Sequence, residues 1–269
     1  ASFSNPGASD QSGFIARFIF QGPAPSTAEV YNQTTMLNLE AGSFPTSATF
    51  PGTSIGVTGT YTIRGRTELA ADEDQSNDEI SGTIVILAPL AGGTYLVGAG
   101  QPSPFNTLDA AINRLKVAGI SGPVTLELTD DIYTLTIPAE INDIPGNSLD
   151  NPVIIKPASG GPGPGAPSGS VSSAAAAGVT ITGSVAGALI KFVNAKNVIF
   201  DGSATGGTDR SLTITNTNTG SPIAGFWLSS TGAGGGCQKI VIKNCNISCN
   251  ADQSTGVNNS FGIFAGGTN

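Results

Sequence analysis

The chain has 269 residues and a formal net charge of −8; only 11% of its residues are charged, while Gly (37) and Pro (17) are abundant. This composition is typical of a β-rich extracellular protein. It argues against nucleic acid and anionic membranes as partners, because no basic surface is available to bind phosphates. The chain has no histidine, which excludes Ser-His-Asp and Cys-His catalysis and histidine zinc sites. No apolar run is long enough to span a bilayer.

Residues 1–88 predict a small all-β domain. Alternating apolar and polar residues bounded by turn residues indicate five strands, at 12–21, 29–39, 47–57, 59–69 and 80–87. Strands of this number and spacing fit a β-sandwich of the immunoglobulin type.

An acidic stretch at 72–79 precedes the last of these strands. Its carboxylates and Asn77 could supply the oxygen ligands that a calcium ion prefers. The spacing does not match an EF-hand loop, whose central Gly is missing. The sequence therefore favours a solvated connection between two strands.

Residues 89–104 predict a Gly-rich linker that contains a first strand. A single amphipathic helix follows at 107–118, with Asn106 or Thr107 as its N-cap and Gly119 at its end. Its apolar stripe consists of Leu108, Ala111, Ile112 and Leu115. A lone helix before a repeated β-structure is expected to cover the open end of that structure.

A short phrase recurs between 178 and 266: two apolar residues one apart, a polar residue, then Gly or Asn. It occupies 179–183, 198–202, 212–216 and 240–244, and a second apolar phrase alternates with it at 187–192, 224–228 and 262–266. Gly and Asn suit the corners because they enter left-handed conformations at low cost. The pattern predicts a right-handed parallel β-helix over 105–269. The competing β-sandwich is disfavoured because Asn-Gly hairpin turns are missing between the phrases.

Two further segments depart from this pattern. Residues 157–177 contain too much Gly, Pro, Ser and Ala to pack a coil, so we expect a projecting insertion, with a linker as the alternative. Residues 261–266 belong in the middle of a coil and no capping segment follows. The expectation is that the protein continues beyond 269 or that subunits stack.

Carboxylates at corners or loops are the candidates for hydrolytic chemistry: Asp130, Asp131, Asp201, Asp209 and Asp252. Glycoside hydrolysis needs two carboxylates close together, yet no two of these occupy the same position in successive coils. The basic residues that a lyase would use are scattered, at Lys191, Lys196, Arg210 and Lys243. Asp201 and Asp209 are interpreted as turn residues, and the sequence predicts no catalytic, cofactor-binding or metal-binding residue.

The only tryptophan, Trp227, lies in an apolar phrase. It could stack on a sugar ring if it faced outward, but core packing is the default interpretation. The three cysteines are Cys237, Cys245 and Cys249. Cys237 and Cys249 could form a disulfide bond, Cys245 is expected to be a small buried apolar residue, and a three-cysteine metal site is the weakest option.

Several of these phrases resemble a known family. Residues 3–7, 39–43, 59–63 and 72–79 resemble immunoglobulin-like modules of large secreted surface proteins of Bacteroidota and related bacteria. Residues 95–98, 105–113 and 119–126 resemble the amino-terminal cap of parallel β-helix domains in the same proteins, and 151–158, 198–202, 227–230 and 243–247 are similar to their early coils.

The resemblance implies a secreted or cell-surface protein exported by type IX secretion. It also implies that the chain begins inside a domain, or that a neighbouring molecule completes the first sheet, because only residues 1–3 remain of the strand that normally precedes the Asn-x-Gly corner. The sequence thus predicts a non-enzymatic surface scaffold, filament component or adhesin. Its expected partners are copies of itself, neighbouring surface proteins or glycans; the alternative is a carbohydrate-binding or polysaccharide-degrading β-helix protein.

Overall fold

A computed structural model of the chain describes residues 2–5, 7–69, 75–159, 178–220, 222–250 and 259–268. Over these ranges the chain is mostly β-strand, and the prediction of an all-β protein is confirmed. The chain divides into two compact units, Ala1–Ala88 and Pro89–Asn269.

The first unit contains six strands in two antiparallel sheets. They are β1 (Ser2–Asn5), β2 (Gln11–Gln21), β3 (Glu29–Leu39), β4 (Ser43–Ser47), β5 (Gly59–Glu68) and β6 (Glu79–Ile86). Four of them form one sheet in the order β3-β2-β5-β6, while β1 pairs with β4. Alternate residues of β2 point to opposite faces of this sheet, so that Phe14, Ala16, Phe18 and Phe20 share one face and Arg17 lies on the other, between Ile15 and Ile19.

Aromatic rings fill the apolar face of the first unit. Phe18 contacts Phe20 edge-on at 5.3 Å between ring centroids and stacks on Phe50 at 5.6 Å. Phe50 lies in the segment 47–57, for which we predicted a strand, and that prediction is wrong because β4 already ends at Ser47. Instead of pairing in a sheet, the segment lies against the rings and the Pro51 carbonyl accepts a hydrogen bond from the Tyr31 hydroxyl.

The second unit contains thirteen strands and one helix within its described residues. The helix is α1 (Leu108–Ala118). The strands are β7 (Gly93–Val97), β8 (Val124–Leu128), β9 (Ile132–Thr134), β10 (Ala139–Ile141), β11 (Val153–Pro157), β12 (Val179–Gly183), β13 (Gly187–Val193), β14 (Val198–Asp201), β15 (Leu212–Asn216), β16 (Ile223–Ser230), β17 (Val241–Lys243), β18 (Cys245–Cys249) and β19 (Ser260–Thr268).

These strands form three sheets in which every pairing is parallel. The first sheet has the order β17-β14-β11-β8-β7, the second β18-β15-β12-β9 and the third β10-β13-β16-β19. From β8 onward the chain visits the first, second and third sheets in turn and then begins again. We call each such round a coil.

Like residues stack on like residues from one coil to the next. Ile181, Ile214 and Ile247 are register partners in the second sheet, and Val153 pairs with Val198 in the first. At the centre the rings of Phe192, Phe200 and Phe226 lie 5.2 to 6.2 Å apart and are fully buried. Each such ring contributes roughly 1.5–3 kcal/mol by leaving water, so the core is a continuous apolar interior shared by the coils.

Helix α1 forms as predicted. The Thr107 hydroxyl accepts a hydrogen bond from the Ala110 amide at 3.2 Å. Gly119 ends the helix at a φ of 72°, and its amide donates to the Leu115 carbonyl at 2.8 Å. The predicted apolar stripe is buried in the same core cluster as the sheets. The segment 89–104, which we assigned to a linker and first strand, belongs to this unit, because Leu90 bridges to Ile120 and β7 is the edge strand of the first sheet.

The corner residues differ from expectation. Asn244 has a φ of 54° and so adopts the left-handed conformation that the repeat predicted. In contrast, Gly183 and Gly202 have ordinary backbone angles but no room for a side chain; a Cβ at Gly202 would lie 1.8 Å from the Asn244 carbonyl oxygen. Glycine is therefore needed at these corners for close approach between coils.

Asn216 is the third exception, because it is fully buried at the end of β15. Its side-chain amide lies 3.0 to 3.2 Å from the carbonyls of Val185, Gly187 and Ala224, and its oxygen accepts hydrogen bonds from the amides of Val185 and Asn218. The side chain thus satisfies backbone groups where the chain passes from the second sheet to the third. The predicted insertion at 157–177 lies outside the described residues from 160 onward.

Candidate functional site

The carboxylate of Asp201 is part of a bridge between coils. It lies at the end of β14, 3.0 Å from the Lys243 ammonium, and accepts hydrogen bonds from the Asn244 side chain at 2.9 Å and the Ser203 amide at 3.1 Å. Burial opposes ionisation of Asp201, but these hydrogen bonds and Lys243 hold its pKa below the ordinary value. The group therefore stays ionised and serves the structure.

Asp209 holds the loop between β14 and β15. Its carboxylate accepts hydrogen bonds from the hydroxyls of Ser203, Thr205 and Ser211 and from the Ala204 amide. These hydrogen bonds lower the pKa of Asp209; the bond from the Ser203 hydroxyl has the largest effect, followed by those from Thr205 and Ser211. This arrangement agrees with the interpretation of Asp201 and Asp209 as turn residues.

The other described carboxylates and lysines that were named from the sequence contact different groups. Asp130 accepts a hydrogen bond from the Ala99 amide at 2.8 Å, the Asp131 carbonyl accepts one from the Thr180 amide, and Asp252 lies outside the described residues. Lys196 pairs with Asp143 at 3.1 Å, whereas Lys191 lies over the Trp227 ring. Lys191, Lys196 and Lys243 thus contact different partners.

Tyr133 shows how polar groups near Asp130 are used. Its buried hydroxyl donates to the Val97 carbonyl and accepts hydrogen bonds from the amides of Thr129 and Asp130 at 2.9 and 3.0 Å. Burial raises the pKa of Tyr133 to about 12. A phenol held in this way ties the end of β8 to the end of β7.

Alternating charges line the outer face of the first sheet, a feature that the sequence analysis missed. Lys156 pairs with Glu127 at 3.3 Å across β11 and β8, and Lys243 pairs with Asp201 at 3.0 Å across β17 and β14. Lys156 and Asp201 each follow the register pair formed by Ile155 and Phe200. The four side chains therefore form an acid-base ladder that favours the observed register.

Trp227 lies on the outer face of the third sheet, so the default expectation of core packing is wrong. Its register partners are Lys191 on β13 and Phe264 on β19, while the preceding residue, Phe226, points into the core. The Lys191 ammonium lies 4.3 Å from the centre of the indole, and the indole N–H donates to the Gly266 carbonyl at 2.8 Å. Side chains alternate across a strand, and this places the indole outward.

Beside Trp227 lies an apolar groove of about 290 Å³ on the outer face of the third sheet. Ala188 and Ala224 are register partners and line it, with the rings of Phe261 and Phe264 beside them. These two rings lie 5.1 Å apart, and Phe264 is 6.2 Å from Trp227. We call this the aromatic groove.

A second groove, of about 470 Å³, lies between α1 and the segment that leads into β10. We call it the helix groove. Ile112, Ile137 and Pro138 supply its apolar surface, and four polar side chains line it: Asp109, Asn113, Lys116 and Glu140. Glu140 is the register partner of Lys191, so the helix groove and the aromatic groove belong to one face of the third sheet.

The three cysteines are free thiols, so the suggested disulfide bond between Cys237 and Cys249 is not present. Their sulfur atoms lie near the carbonyls of Ser229, Lys243 and Phe261, respectively for Cys237, Cys245 and Cys249. Burial raises the pKa of Cys245 to about 11 and also raises that of Cys249. Both thiols are therefore protonated at neutral pH, which lowers their nucleophilicity.

Among the described residues, no group of three or more Cys, Asp or Glu side chains is placed to hold a metal ion. The calcium candidate at 72–79 falls partly on residues 72–74, which lie outside the described ranges. In its described part, Asp78 accepts a hydrogen bond from the Thr67 hydroxyl at 2.8 Å and Glu79 lies 3.8 Å from Arg64. No helix in the described ranges has the length and apolar character needed to cross a bilayer.

Comparisons with protein families, curated proteins and solved structures gave no match to this chain.

Proposed function

We propose that this chain is a non-catalytic component of the cell exterior: a secreted surface scaffold, filament subunit or adhesin. One observation carries the proposal. The second unit returns to the same three parallel sheets in constant register, so that each coil stacks on the previous one. Such a repeat extends a protein in one direction and presents long, regular faces, which suits extension, assembly and adhesion.

The proposal includes a finer description of both units. The second unit is a right-handed parallel β-helix, since parallel crossovers are right-handed in nearly all proteins, and α1 seals its first coil. The first unit is an immunoglobulin-like sandwich with β3-β2-β5-β6 as one sheet and β1-β4 as part of the other. The resemblance to Bacteroidota surface proteins supports this pair of domains, together with export by type IX secretion.

The carboxylates support a non-enzymatic function. A general acid or nucleophile must be able to reach substrate and change its protonation or bonding. Asp201 is bonded to Lys243 and Asn244, and Asp209 is bonded to three hydroxyl groups. Both groups act within the fold. The proposed partners are other copies of the chain, neighbouring surface proteins and glycans.

Microscopy and an activity screen test this function. Immunogold labelling of intact cells should place the protein on the outer surface, and negative-stain images of purified native material should show extended particles, fibres or a layer. The chain should not shorten neutral or acidic polysaccharides over a prolonged incubation, as measured by reducing ends and by absorbance of unsaturated products. Turnover of any of these polysaccharides by the chain would overturn the scaffold assignment.

A further inference from the structure

The helix groove differs from the other polar clusters of the chain in its bonding. Several carboxylates elsewhere are engaged, as in Glu127 with Lys156, Asp143 with Lys196 and Asp201 with Lys243. Among the described residues, Asp109, Asn113, Lys116 and Glu140 make no side-chain hydrogen bond or ion pair with one another or with a neighbour. Their bonding capacity is thus available to a ligand.

Helix geometry explains why these groups gather. Ile112 and Asn113 come three and four residues after Asp109, and Lys116 comes four and three residues after them, so these side chains lie along one side of α1. The buried stripe of the helix is centred on Leu108, Ala111 and Leu115 and packs in the core. The polar side faces Ile137 and Glu140, and Ile137 is 66% exposed although it is aliphatic.

This chemistry fits sugars. Carboxylates and an amide oxygen accept hydrogen bonds from hydroxyl groups, while the ammonium of Lys116 and the Asn113 amide donate to hydroxyl and ring oxygens. The aliphatic surface of Ile137 and Pro138 can contact the C–H faces of a sugar ring. Ligand sites commonly combine such an apolar surface with a few polar groups. We propose that the helix groove binds a neutral glycan.

Charge selects neutral glycans over polyanions. The groove contains two carboxylates and one ammonium group, in a chain with a net charge of −8. Uronate or sulfate groups would therefore be repelled, whereas uncharged hydroxyls meet both acceptors and donors. A basic peptide would pair with the carboxylates but would place its charge near Lys116. The experiment below therefore compares oligolysine with neutral glycans.

The outer face of the third sheet continues from the helix groove, and its length suits a glycan of several sugar units. Glu140 begins an outward row in the third sheet that runs through Lys191 and Trp227 to Phe264. Adjacent strands lie about 4.8 Å apart, so the row is about 14 Å long. A glycan seated in the helix groove can thus extend across the third sheet toward the aromatic groove, where apolar C–H faces find Phe261 and Phe264.

Binding is measured with the full 269-residue chain by screening a neutral glycan array and then titrating the best ligand by calorimetry. We expect the affinity to rise with the length of the oligosaccharide to about three or four sugar units, the length of the row. The double variant D109N/E140Q should weaken binding about tenfold or more, because it removes two charged acceptors. The matched control D143N, whose carboxylate pairs with Lys196 outside the groove, should bind like the wild type.

Three outcomes would overturn the glycan site. They are no binding anywhere on the array, equal binding by D109N/E140Q and the wild type, or tighter binding of polygalacturonate or of oligolysine than of any neutral glycan. Far-UV circular dichroism and Trp227 fluorescence must be unchanged in the variants; if they are not, the variant N113A replaces the double variant. The inference builds on the adhesive function proposed above, but turnover of polysaccharides would overturn that function without touching the binding result.

Discussion

The two units of this protein use β-strands in opposite ways. In the first unit the strands of the main sheet pair antiparallel, and the core is a cluster of rings on one face of the sheet. In the second unit every pairing is parallel, and each strand pairs with its counterpart in the next coil. The comparison teaches that the second unit draws its stability from repetition, whereas the first depends on a few particular contacts.

The largest effect is expected from Phe200→Ala in the second unit. Phe200 is fully buried against Phe192 and Phe226, and truncation of such a ring costs about 3–5 kcal/mol. Because Trp227 is the only tryptophan, its fluorescence in a urea titration reports the second unit alone. Phe18→Ala in the first unit serves as the control, and a comparable shift of the tryptophan midpoint in that variant would contradict the picture of separate cores.

Asn216→Ala should rank second. Its amide and carbonyl groups satisfy buried backbone atoms of Val185, Gly187 and Ala224, and leaving such groups without partners costs about 2–3 kcal/mol. The loss is again measured through Trp227 fluorescence during denaturation. Asn218→Ala, two residues further along the chain, should change the free energy of unfolding by less than about 0.5 kcal/mol. Equal losses in both variants would show that burial of Asn216 is unimportant.

Glu68 is the corresponding test for the first unit. The hydrogen bond from Arg17, at 2.6 Å, is the main cause that lowers the Glu68 pKa to about 2, and Arg66 adds to it. A carboxyl group with a lowered folded-state pKa stabilises the fold above its ordinary pKa of 4.5 and loses that contribution as the pH falls toward about 2.

We therefore expect Glu68→Gln to destabilise the first unit at pH 7 by about 1 kcal/mol or less, since the pair is partly exposed. The difference between the variant and the wild type should vanish as the pH falls through that range. Hydrogen exchange of peptides from β2 and β5 measures it. Glu40→Gln, on an exposed turn, is the matched control variant. A constant difference for Glu68→Gln across all pH values would contradict the ion-pair explanation.

An effect of similar size is expected from the acid-base ladder of the first sheet. Glu127→Lys should place two ammonium groups side by side and cost about 1 kcal/mol at low salt. The exchanged pair E127K/K156E should recover most of that loss, because the pair regains its opposite charges. Thermal unfolding at low and high salt measures both; no recovery in the double variant would show that the ladder does not act as a pair.

Local signals predicted the parts of the fold that depend on neighbouring residues. The cap at Thr107, the stripe of α1 and the stop at Gly119 all follow from short spacings, and the structure contains each of them. The prediction of a strand at 47–57 was wrong. Apolar and polar residues do alternate there, but the segment contacts aromatic rings and a tyrosine hydroxyl instead of another strand. Periodicity alone does not show whether an extended segment pairs with another strand.

The candidate site was harder to predict. The polar side of α1 has the composition of any solvated helix face, and only the position of Glu140 across from it makes a groove. Trp227 follows the buried Phe226 in an apolar phrase, so its outward direction depends on which residue begins the alternation. A spacing of three and four residues among Asp109, Asn113 and Lys116 was the one signal available from the sequence.

The constant register of the three parallel sheets has an evolutionary consequence. Each coil offers the next one the same rows of backbone donors and acceptors. When a coil is duplicated or deleted, the coils on either side can therefore still pair with their new neighbours. Changes in length should therefore accumulate in whole coils, while substitutions on the outward positions diversify what each face recognises.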